Sequence, residues 1–95
     1  MADQTQRTLG IIGGMSWEST ESYYRIINEG IKAKLGGLHS ADLLIHSVDF
    51  GPINTLQETG EWDVLGVMMA SSGKRLQAAG AQGLLIATNT MHKLF

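Results

Sequence analysis

The sequence predicts an α/β protein: a parallel sheet in a three-layer arrangement, ordered β-α-β-α-β, with a final helix only begun. Three observations lead there. Three short apolar runs are separated as strands would be. The two long segments between them carry apolar residues at helical period, and glycines stand at the junctions.

Residues 1–7, Met1-Ala2-Asp3-Gln4-Thr5-Gln6-Arg7, are polar and read as a flexible leader, without the apolar segment of a secretory signal. Leu9-Gly10-Ile11-Ile12 follow as a short buried strand that Gly13-Gly14 ends. Ser16 is an N-cap candidate, and Glu18 puts negative charge in the first turn of the helix it opens. Tyr24, Ile27, Ile31 and Leu35 then stand three, four and four apart, one apolar stripe on a helix of about five turns. Gly36-Gly37 closes it.

The second strand lies within Asp42-Leu43-Leu44-Ile45-His46-Ser47-Val48-Asp49-Phe50. Its apolar run at 43–45 is continuous, as in a strand covered on both faces. Gly51-Pro52 marks a loop or the first turn of a short helix, and Gly60 separates that piece from a longer helical pattern. There Leu65, Met69, Ser72, Leu76 and Ala79 keep the helical period until Gly80. Residues 83–87 form the third strand. Right-handed crossovers make all three strands parallel, a Rossmann-like or flavodoxin-like order.

Residues 91–95 read as the first turn of a helix, and a single turn does not hold itself. Three strands also leave two sheet edges open. The chain is therefore expected to be the N-terminal part of a longer protein. The rival expectation is a complete small domain rescued by dimerisation.

With 95 residues, 43% of them apolar and 17% charged, the composition is that of one globular domain. A net charge of −2 with scattered Lys and Arg argues against nucleic-acid binding, and no apolar run is long enough to cross a bilayer. With no targeting signal, the expected location is cytoplasmic. There is no cysteine, which excludes a disulfide scaffold.

The candidate chemistry sits at the three strand ends. The first offers Gly13-Gly14-Met15-Ser16, the second Ser47 and Asp49, the third Thr88, Asn89 and Thr90. In a parallel sheet these share one edge, where helix N-termini also aim N–H groups, and such an edge suits a carboxylate or phosphate. Each residue also has a plainer reading: Ser16 and Thr90 as helix caps, Asn89 in a turn. Gly10-x-x-Gly13-Gly14 departs from dinucleotide-binding spacing, and no Gly-Lys-Ser/Thr follows the first strand. His46 and Asp49, three apart on a strand, point to opposite faces, so no shared metal is expected. His92 either orients a neighbouring hydroxyl or is a surface residue. Trp17, Tyr23 and Tyr24 read as packing or interface residues.

Two segments are more specific. Ile11-Ile12-Gly13-Gly14-Met15-Ser16-Trp17-Glu18-Ser19-Thr20, with Tyr23-Tyr24 and Ile27-Asn28, resembles the opening of the aspartate/glutamate racemase family. Thr88-Asn89-Thr90-Met91-His92-Lys93 resembles that family's first catalytic strand end, and 35–40 and 46–50 fit the same branch. The resemblance spans essentially residues 8–95 and makes them the N-terminal part of the first α/β domain, since family members are roughly twice this length or more.

The resemblance implies racemisation without pyridoxal or any other cofactor. Two residues, typically cysteines, face opposite sides of the substrate α-carbon; one removes the α-proton and the other returns a proton to the far face. Thiols suit this because their pKa, about 8.5 when unperturbed, can be lowered into a usable range. Here the position before Asn89 is Thr88, and a hydroxyl is a far weaker acid than a thiol. The implied site therefore has Thr88 in the first catalytic position and Asn89, Thr90, Met15 and Ser16 around the α-carboxylate and amine. His92 and Ser47 support it. The implied partner is an amino acid, aspartate or glutamate, and the full-length protein is expected to be a dimer. No Arg follows the second strand, where typical aspartate racemases bind the distal carboxylate. The isolated chain is expected to be nearly inactive. Two other readings stand beside this: a non-catalytic module that binds an acidic amino acid, and a purely structural fragment.

Overall fold

β1 (Leu9–Gly13) is the middle strand of a three-stranded parallel sheet in the order β2-β1-β3, with β2 at Leu43–Ser47 and β3 at Gly83–Ile86. This computed structural model describes residues 6–87. Ile11 pairs with Ile45 on one side and Leu85 on the other, and Ile12 with His46 and Ile86. Of the three strands, β1 alone has both neighbours among the described residues, and Ile11 and Ile12 are accordingly buried.

The helices form two layers. α1 (Trp17–Leu35) covers one face, while α2 (Phe50–Glu58) and α3 (Trp62–Ala78) belong to the other. Strand side chains alternate between faces. Ile12 therefore joins Met15, Ile53, Leu65, Met69 and Leu76 in the core under α2 and α3. The expected period in α3 is the one that packs: Leu65, Met69, Ser72 and Leu76 are all buried, and only Ala79, which caps the helix, is exposed. Gly51-Pro52 lies in the first turn of α2, whose N-terminus is closed by Asp49 Oδ1 accepting from the Gly51 N–H at 3.1 Å.

Two expectations need correction. β2 is an edge strand among the described residues, and Ile45 is 40% exposed, so its apolar run does not mark a strand covered on both faces. The stripe on α1 is half-buried at Ile27, Ile31 and Leu35 and exposed at Tyr24, and the one residue of α1 that is buried is Thr20. The reason is width: a helix over one strand and an edge finds too little sheet to cover its whole apolar face. Asn28 helps to hold α1, its side-chain carbonyl accepting from the Ala41 N–H at 2.8 Å.

Candidate functional site

The carboxyl ends of the strands are tied side by side. The Val48 N–H donates to the Gly13 carbonyl at 2.8 Å, and the Ala87 N–H donates to the Ile12 carbonyl at 2.9 Å. One edge therefore carries Gly13-Gly14, Ser47-Val48 and Ala87 together.

Gly14 decides how the chain leaves β1. It has φ of +91°, and a Cβ there would stand 2.2 Å from the Val48 carbonyl oxygen and 2.9 Å from Ser47 Oγ. The close approach of the two strand ends requires glycine. Its N–H points the other way and donates to Thr20 Oγ1 at 2.9 Å, in a buried contact. Gly13 is equally constrained, since a Cβ would lie 2.6 Å from the Thr20 side chain.

After this turn Met15 swings inward and Ser16 outward. Met15 is 1% exposed and packs in the core, so what it offers at the edge is backbone. Ser16 is exposed, with φ of 63° and ψ of 91°, a conformation that non-glycine residues rarely adopt. Its carbonyl accepts from the Ser19 N–H at 3.0 Å and the Thr20 N–H at 3.4 Å, which starts α1. Its side chain makes no cap hydrogen bond; the hydroxyl lies 3.5 Å from Ser19 Oγ. Ser16 is thus the N-cap by position, with its hydroxyl not engaged on the helix N–H groups.

Of the residues singled out from the sequence, the structure brings Ser47 against Gly14, which Met15 and Ser16 follow in the chain. Thr88, Asn89, Thr90 and His92 lie outside the described residues; Ala87, buried beside β1, is the last one described. Over 13–18 and 47–50 the charged side chains are Glu18 and Asp49, and Asp49 is engaged on α2. His46 and Asp49 go to different partners, His46 Nδ1 to the Ser72 hydroxyl. Among the described residues no three His, Cys, Asp or Glu cluster as metal ligands. Nor is any helix there long and apolar enough to cross a membrane.

Sequence reasoning missed Thr20 and the His46–Ser72 pair. The one local hint for Thr20 was a hydroxyl in the first turn after a Gly-Gly end. Ser72 was read only as a member of the helical period.

Residues 12–95 match the family model described as Asp/Glu/Hydantoin racemase. The fold is similar, with a TM-score of 0.92 and 49% identity, to the crystal structure of a Yersinia pestis protein described as a candidate Asp/Glu racemase. The match covers 94% of this chain and 39% of that one, so this chain spans well under half of the length of that relative.

Proposed function

The chain belongs to the Asp/Glu/hydantoin racemase family, and on that premise we propose that it forms the N-terminal part of a cofactor-independent amino-acid racemase acting on aspartate or glutamate. The whole protein would be a cytoplasmic, dimeric isomerase. The observation that carries this reading is the joined strand edge, where Gly14 lets the ends of β1 and β2 meet, the Ser16 hydroxyl is not spent on the helix cap, and Ser47 lies beside Gly14. Such an edge offers backbone N–H groups and hydroxyls to a carboxylate.

In the proposed reaction the substrate α-carboxylate and amine are held by Asn89 and Thr90, by Ser16 and by the Met15 backbone. Ser47 and His92 support them. Hydrogen bonds to the α-carboxylate stabilise the charge that develops there as the α-proton leaves. A group on one face takes that proton, the electron pair delocalises into the carboxylate, and a proton returns from the other face. Thr88 takes the first position. A neutral hydroxyl is a poor base but can donate a proton to a carbanion, so the two faces are chemically unequal. The opposing group comes from the part of the fold that this chain does not span, and the chain alone is therefore nearly inactive.

The absence of cysteine supports a second reading, an acidic-amino-acid-binding module without chemistry. The test is α-proton exchange in D₂O, followed by NMR, on both enantiomers of aspartate and glutamate. This chain is compared with a protein extended to the length of the Yersinia pestis relative. Exchange by the extended protein alone, suppressed by Thr88→Val, is the expected result. A folded extended protein that binds these amino acids without exchange would leave only the binding module.

A further inference from the structure

α3 packs over β1 and leaves a cavity on each flank. The one toward β3, about 510 Å³, is lined mostly by apolar groups such as Met69, Leu84 and Ile86. The one toward β2, about 320 Å³, has a different chemistry. His46 enters it from β2, and Ser71, Ser72 and Arg75 enter from α3, while Val48 and Ile53 supply apolar wall. Among the described residues no carboxylate lines it.

The polar groups are pre-arranged. Ser72 is 3% exposed and its hydroxyl is hydrogen-bonded to His46 Nδ1, which fixes the imidazole against α3. Among the described residues neither His46 Nε2 nor the Arg75 guanidinium has a hydrogen-bond or ion-pair partner. An arginine, a histidine and serine hydroxyls on the lining of one cleft that also has apolar wall match a carboxylate with an apolar body. The volume of the cavity lies near the lower end of ligand-pocket sizes, which suits a small ligand.

We propose that the cleft between β2 and α3 is a second ligand site, one that takes a small aliphatic carboxylate. Its carboxylate sits on Arg75 and His46 and its hydrocarbon on Val48 and Ile53. This site does not depend on the racemase reading. His46 and Ser47 are successive residues of β2 and point to opposite faces, so the cleft and the strand edge are separate places on one strand.

The test is a titration of the ¹⁵N-labelled 95-residue chain with isobutyrate, followed in backbone amide and histidine side-chain spectra, with isobutanol as the uncharged control. The expected result is saturable movement of the His46, Ser72 and Arg75 signals with isobutyrate and not with isobutanol. Arg75→Gln, an exposed change in the last turn of α3, weakens the binding at least tenfold while leaving the rest of the spectrum in place. Three results overturn the proposal: linear, unsaturated shifts; saturable shifts centred on Gly14 and Ser16 that Arg75→Gln leaves alone; or a wild-type spectrum without the dispersion of a packed α3.

Discussion

The Thr20 hydroxyl accepts a hydrogen bond from the Gly14 N–H at 2.9 Å, and the same side chain occupies the space where a Cβ on Gly13 would be. One residue in the first turn of α1 thereby fixes both the end of β1 and the start of the helix. A buried amide has few alternatives when its acceptor is removed. Thr20→Val keeps the shape and deletes the acceptor, so it is expected to lower stability by about 1–3 kcal/mol. Thr20→Ser, which keeps the oxygen, loses less. Urea unfolding of the two variants beside the parent chain decides it, and equal losses would assign the role of Thr20 to packing alone.

Gly14→Ala is expected to be far more damaging than Gly60→Ala. Both glycines have positive φ, but a Cβ at Gly60 meets open space whereas one at Gly14 meets the backbone of Val48. Gly60→Ala therefore carries the left-handed penalty only, about 1–2 kcal/mol. Gly14→Ala adds separation of the β1 and β2 ends. Thermal melts rank the two, and amide exchange at Val48 shows whether its bond to Gly13 has opened.

Ser16 is held at positive φ without the compensation of a side-chain cap. Ser16→Gly relieves the conformation and is expected to raise stability by about 1 kcal/mol, and Ser16→Ala to leave it nearly unchanged. If the hydroxyl serves the substrate, both variants reduce amino-acid binding in the extended protein. A gain in melting temperature together with weaker binding in Ser16→Gly is the diagnostic pair.

His46 and Ser72 form a linked pair across the cleft between β2 and α3. Ser72→Ala and His46→Leu each leave one polar partner unsatisfied, at a cost of about 1–3 kcal/mol. The double variant removes both, and its loss is expected to fall short of the sum of the two singles by about 0.5 kcal/mol or more. Strict additivity in the unfolding cycle would mean that the contact contributes nothing.

Much of the architecture was readable in the chain itself because its signals are local. The run at 84–87, the Gly13-Gly14 stop and the period of Leu65, Met69, Ser72 and Leu76 each concern residues close in sequence, and each marks the element observed. The position of Ser16 and Ser47 at the strand ends was legible as well, because it follows once the strands are parallel. The motif around Gly13 and Gly14 also carried the family.

What the tertiary structure alone decided is which distant groups meet. Thr20 under Gly14, Ser72 against His46, the exposure of Tyr24 and the positive φ of Ser16 have no local signature. They depend on β1 taking the centre of the sheet, which exposes β2 along one edge, leaves α1 half-covered and sets α3 over the middle strand. Periodicity reports which face of an element is apolar; only packing fixes what that face touches, because a contact needs two segments brought together in space.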